Sequence, residues 1–356
     1  MRVCHGFDAV FDDPNLVSCA GLVPALQLAE RADLQQLISR HVHLSKPGGG
    51  DAHLKIPALV GGTVAGADSI EAMGLLRHGG MSRLFDDVRT PSTLGTFLRT
   101  FTFGHVRQLD AVASRLLINL AGQRPLLPGA DVLAYVDVDD TLKQTYGYAK
   151  QGAGRGYTGV KGLNALLATI STPSSAPVIA AARLRKGSTN SAKGAARFVA
   201  DALITARGTG ATGVLVLRAG SAYYGHGVIA AALRHQACFS ITARQDKSVR
   251  KAIAGIDEHA WTPIKYTHAI YDEGQQRWIS DAEVAEIGYT AFAGNKAKRV
   301  TARLIVRRVK DMNRTTKASC SPPTGITRSS PTARCRHSKP RKRIAPTRSS
   351  SRSSPI

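Results

Sequence analysis

Three carboxylates, Asp137, Asp139 and Asp140, fall within four positions at the end of an apolar run, LAYVDVDDT (133–141). Side chains alternate along a strand, so Asp137 and Asp139 share one face, while Asp140 points away or begins a turn. Two carboxylates side by side repel, and each is costly to bury unpaired. A divalent cation relieves both costs, and an oxygen-only ligand set selects Mg²⁺ or Mn²⁺ over zinc. The competing reading is a solvated strand end with Asp140 capping a turn. The five cysteines are scattered and odd in number, which fits reduced thiols better than a disulfide framework. Cys4, Cys19 and Cys238 show no metal-ligand spacing and read as small packing residues. His226 and His235 read as helix-surface residues.

The second chemical signal is charge. The 356-residue chain carries a formal +23, which points to a polyanion partner, most simply nucleic acid. Residues 314–356 hold 11 Lys or Arg and no acid, so the remainder still carries +12. Arg99, Arg107 and Arg115 recur every eight residues, a little over two helical turns, and so form one basic stripe on a continuous helix. That stripe is either a DNA contact or a solvated face. A glycine-rich stretch, GAGRGYTGVKG (152–162), lacks the Gly-Lys-Ser/Thr ending of a P-loop. It reads as a loop beside the carboxylate strand, with Arg155 and Lys161 as candidate phosphate contacts.

The elements that position these residues follow from pattern. Residues 1–117 read as mostly helical. Pro24 opens a helix with Leu26, Leu34, Leu37 and Ile38 on or near one face. Thr90 before Pro91 is a cap followed by a first-turn proline, starting a helix predicted to run to 117. GQRPLLPGAD (122–131) is a turn-rich boundary. Beyond it the order is strand (VLAYVDVD), strand (163–171), strand (176–185), helix (194–208), strand (213–224), helix (227–236), strand (238–244). That is an α/β layer fold with a mixed sheet. Residues 261–309 carry alternating aromatic and apolar residues without a long helical pattern and read as a small β insertion. The tail from Arg314 has ten serines, six prolines and no aromatic residue, so disorder is expected. No apolar run approaches the ~18 residues of a membrane span, and the amino terminus lacks a signal-peptide pattern. A cytoplasmic protein is expected.

Taken in order, the Asp-x-Asp-Asp-Thr strand end, KQGAGRGYTGVKG, LRKGSTNSAKGAARFVADAL, LVLRAGSAYYGHGVIAAALR, FSITARQDKSVRKAIAGI and AWTPIKY resemble the DDE-type transposases of bacterial insertion sequences, close to the DDE group 1 branch. The helical TPSTLGTFLRTFTFGHVRQLD belongs to the same resemblance, which runs from about residue 1 to about 313. It implies a ribonuclease H-like core in which Asp, Asp and Glu hold two Mg²⁺ (or Mn²⁺) ions for cleavage and strand transfer of element-end DNA. It also implies duplex DNA partners, both terminal repeats and target, and a homodimer. Asp139 matches the first catalytic aspartate, and Asp137 is similar to a supporting carboxylate. The implied organisation is a helical DNA-binding region (1–125), a catalytic core (126–256), a β insertion (257–313) and a disordered basic tail (314–356).

Two departures matter. The family's second aspartate falls in a segment that here reads Arg218-Ala219-Gly220-Ser221-Ala222-Tyr223-Tyr224, so Gly220 stands at the lost catalytic position. The third residue, a late glutamate, is missing, and family-like sequence stops after Asn313. Reading the tail one frame over, with free choice of third bases, spells a segment similar to the family's terminal helix. Its glutamate codon bridges Ser350 and Ser351. The expectation is therefore a transposase-family protein that is catalytically defective through a frame shift and the loss at Gly220. The alternatives are a non-catalytic protein that occupies element ends or inhibits an intact transposase, and a chain left unstable by its missing helix.

Overall fold

Local chemistry divides the first third of the chain into shorter helices than pattern alone predicts. A computed structural model describes residues 14–147, 150–156, 158–272, 277–308 and 325–328. Cys4 and most of the tail lie outside them. Helices α1 (Leu22–Arg31), α2 (Leu34–His41), α3 (Ala52–Val64), α4 (Pro91–Arg99) and α5 (Phe103–Gln123) come first. The single helix expected through Leu26 and Ile38 is broken at Asp33, which adopts the left-handed conformation at φ 63°. An aspartate tolerates that conformation better than most residues.

Thr90 caps α4 as expected, its side chain accepting from the Thr93 N–H. The helix does not continue to 117. Thr100 donates its hydroxyl back to the Phe97 carbonyl at 2.6 Å, and the Thr102 N–H donates to His105 Nδ1 at 3.0 Å. Side chains that satisfy backbone groups locally stop one helix and start the next. Arg99 therefore sits on α4 while Arg107 and Arg115 sit on α5, and the continuous stripe does not form.

The remaining elements are β1 (Leu133–Gln144), β2 (Gly154–Arg155), β3 (Lys161–Ser171), β4 (Val178–Lys186), α6 (Ala195–Gly208), β5 (Val214–Ala219), α7 (His226–Arg234), β6 (Cys238–Thr242), α8 (Lys247–Ala254), β7 (Thr262–Asp272), β8 (Arg277–Ala291), β9 (Val300–Arg308) and β10 (Gly325–Arg328). The predicted order of strands and helices between 133 and 242 holds. β3 runs antiparallel to β1 and β4 antiparallel to β3, while β5 and β6 run parallel to β1. The β7–β8–β9 meander is antiparallel, and β10 joins it to β6 in one continuous mixed sheet.

β10 lies inside the segment expected to be disordered. It is ordered because it pairs on both sides, with β6 and with β9, so its backbone groups meet partners that a solvated tail lacks. The frame-shift region is otherwise outside the described residues. Most side chains of β7, including Tyr266 and Ile270, also lie outside them.

The two faces of the sheet differ. Ala134, Val136 and Val138 on β1, Leu166 and Ile170 on β3, and Leu215 and Leu217 on β5 are buried in one core with Phe198, Val199, Ala202 and Leu203 of α6. The opposite face carries Tyr135, Leu167 and Val216, which are only half-buried. Ile179 and Leu184, on β4, are 60% and 49% exposed. Among the described residues no helix is long and apolar enough to cross a membrane.

Candidate active site

β1 runs on to Gln144, so all three carboxylates lie in strand and none begins a turn. Alternation then sorts them. Asp140 shares the buried face of Val136 and Val138, while Asp137 and Asp139 share the open face, as their spacing predicts.

Asp140 is a structural hub. Tyr223 donates its hydroxyl to Oδ1 at 2.7 Å. At Oδ2 the carboxylate accepts from Asn164 Nδ2, from Ser191 Oγ at 3.0 Å and from Arg185 Nη2 at 3.3 Å. The Asp140 and Arg185 side chains are each only 8% exposed. Burial pushes the Asp140 carboxyl up, but the hydrogen bonds from Asn164, Tyr223 and Ser191, with the Arg185 charge, outweigh it and hold the group below its ordinary value. Burial, reinforced by the bond to Asp140, pushes the Tyr223 phenol well above its usual range, so it stays a donor.

Asp137 is engaged too. Arg218, its cross-strand partner on β5, donates from Nε to Oδ1 and from Nη2 to Oδ2, both at 2.5 Å. The guanidinium also stacks 4.1 Å from the Tyr135 ring centroid. Both oxygens that the sequence offered to a cation accept from an arginine instead.

Asp139 is exposed and, among the described residues, accepts only the Asp140 N–H, at 2.9 Å. Register brings it beside Gly220. Val138 pairs with Ala219 across the parallel β1–β5 ladder, and each is followed directly by Asp139 and Gly220. Gly220 leads into a short 3₁₀ turn over Ser221–Tyr223 whose last residue reaches back to Asp140. Its backbone is extended (φ −74°, ψ 176°), and a Cβ built there meets nothing within 4 Å. Any L-residue fits this position, so the glycine is not a conformational requirement.

A pair of divalent cations does not fit the residues present. Asp139 offers one carboxylate, Asp137 is held by Arg218, and Gly220 offers none. Among the described residues no group of three His, Cys, Asp or Glu is poised around a common point.

The candidate DNA contacts separate into three settings. Arg107 is tied to Asp110 at 2.5 Å and lies 3.6 Å from Asp201 of α6, with Arg183 of β4 in the same cluster. Burial holds the Asp110 carboxyl above its ordinary value despite the Arg107 and Arg183 charges. Arg99 donates to Thr96 Oγ1 and Arg115 to the Ala111 carbonyl of its own helix. Arg155 and Lys161 face each other across β2 and β3, donating to the Gly159 carbonyl (2.7 Å) and the Gly147 carbonyl (2.9 Å).

Sequence reading left Asp140 either pointing away from Asp137 and Asp139 or beginning a turn; the first holds, and what it missed is the burial of that side chain, which the parity shared with Val136 and Val138 signalled. It also missed Arg218 as the partner of Asp137; the alternation of LVLR marks that arginine as lying on the open face. The Asn164–Arg185–Ser191 set had no local signal, because its members meet only through tertiary contact.

A family model described as transposase DDE domain group 1 matches residues 7–320. No curated protein matches the chain.

Proposed function

Because the chain belongs to the transposase DDE domain group 1 family, we propose that it is a DNA-binding transposase relative that no longer performs strand transfer. The family generally uses divalent metal ions. The observation that carries the proposal is that Asp139 and Gly220 directly follow Val138 and Ala219, the last paired residues of the parallel β1–β5 ladder. One carboxylate remains where the chemistry needs several convergent anionic oxygens. The strand connectivity, three antiparallel strands followed by two parallel to the first, supports a ribonuclease H-like core. The family match ends at residue 320, and we read the segment beyond it as one that left the family pattern through a frame shift.

Purified protein with Mg²⁺ or Mn²⁺ and element-end DNA is expected to neither cleave nor join strands. Strand transfer above a vector control would overturn the proposal. Gly220→Asp sharpens it, because the backbone and the free space accept a side chain there. This variant is expected to gain a melting-temperature shift with Mn²⁺ that the parent chain lacks. The companion role, occupancy of element ends without catalysis, predicts tighter gel-shift binding to element-end duplex than to a scrambled duplex.

A further inference from the structure

Register gathers Lys143 and Lys186 beside Arg155 and Lys161, a grouping that spacing in the sequence does not reveal. On the open face of the sheet, Lys143 of β1 lies opposite Leu163 of β3, and Leu163 lies opposite Lys186 of β4. Lys161 is one pleat further along the same face of β3 and pairs with Arg155. Neighbouring strands are about 4.8 Å apart, so Lys143 and Lys186 stand roughly 10 Å apart with Lys161 and Arg155 beside them. Lys143, Arg155 and Lys186 are exposed. Among the described residues neither Lys143 nor Lys186 has an ion-pair partner. The sequence from 141 to 162 and from 185 to 194 contains no Asp or Glu.

The position of the group gives it meaning. Lys143 is four residues beyond Asp139 on the same strand face, about 13 Å at the usual rise per residue. This distance is on the order of four nucleotide steps of one DNA strand. The basic residues of α5 offer a weaker alternative, because Arg107 is held in an ion-pair cluster with Asp110, Asp201 and Arg183. We infer that Lys143, Arg155, Lys161 and Lys186 form a phosphodiester-binding patch that lays a DNA backbone along the open face toward Asp139. The inference rests on the DNA-binding proposal above and adds to it the surface and the direction of approach.

Lys143 and Lys186 are the residues to change, since Arg155 and Lys161 also brace the loop through the Gly159 and Gly147 carbonyls. DNA affinity of the full chain would be measured by fluorescence anisotropy over a salt series. Lys143→Gln with Lys186→Gln is expected to weaken binding at least tenfold at low salt. The slope of log affinity against log salt should fall by about 1.8, at about 0.9 for each phosphate no longer neutralised. Lys143→Arg with Lys186→Arg should restore both, and melting temperatures of all variants should match the parent. Arg107→Gln should lower the melting temperature and leave the salt slope unchanged. If the parent chain binds DNA with a steep slope that the Gln pair does not alter, the patch is refuted while the DNA proposal stands. If the parent shows no salt-dependent binding, both fall. Equal displacement of DNA by polyglutamate of matched charge would also overturn the inference, since it marks a generic acidic-protein surface.

Discussion

Asp139 and Asp140 are chain neighbours on opposite faces of one sheet, and their environments share almost nothing. Asp140 enters the covered face, where four side chains from β3, β4, the loop before α6 and the turn after Gly220 converge on it. Asp139 enters the open face and, among the described residues, accepts only from a neighbouring amide. A carboxylate is stable inside a protein when its lone pairs are filled and its charge is opposed. The covered face supplies both conditions from the chain itself. On the open face Arg218 supplies them to Asp137 but not to Asp139. The contrast teaches that a cluster of acids in a sequence need not be one site: here one acid is bound into the scaffold and another is left exposed.

The largest expected effect tests that division. Asp140→Ala leaves the Arg185 guanidinium buried without its counter-charge and should cost about 3–5 kcal/mol of unfolding free energy. Asp139→Ala, at an exposed position, should stay within about 0.5 kcal/mol. Urea denaturation of the two variants decides it, and equal losses would erase the distinction between the faces. Next in size is packing. Leu203→Ala on α6 should cost about 2–5 kcal/mol by opening a cavity in the core. Leu184→Ala, on the 49% exposed position of β4, should cost under about 0.5 kcal/mol. A large loss at Leu184 would mean that the open face is covered in solution.

The pH dependence is a finer probe. Asp140's folded carboxyl lies below its ordinary 3.8. Its stabilising contribution is therefore present above about pH 4 and is lost as pH falls through the lower folded value. The urea midpoint of the parent should drop on acidification below pH 4 more steeply than that of Asp140→Asn, which cannot titrate. A small effect is also expected at Asp137. Its pair with Arg218 is about two-fifths exposed on both sides, so solvent screens it, and Asp137→Ala should cost about 0–1 kcal/mol.

Much of the fold is legible in residue order alone. The Thr90-Pro91 start of α4, the alternation of LAYVDVD and the strand–helix order from 133 to 242 all follow from local rules. Pattern and fold part where a local signal is overruled or short. Thr100 and Thr102 end a helix that apolar spacing extends, because hydroxyl and imidazole groups satisfy its backbone ends. Gly325–Arg328 becomes a strand because two edges await it, and polar composition cannot report a vacant slot in a sheet. Of the candidate site, the shared face of Asp137 and Asp139 is readable from alternation, whereas the arginine on Asp137 is supplied by a strand some eighty residues away.

The sequence by itself determined the basic character of the chain, its α/β order, its family pattern and the glycine at position 220. Those properties are carried by residue type and near-neighbour spacing. Tertiary structure alone decided which carboxylate is satisfied, that Gly220 adjoins Asp139, and that Lys143 and Lys186 stand on one face two strands apart. Those depend on strand register, which pairs residues tens of positions apart in the chain and is fixed by burial of the whole sheet rather than by any local pattern.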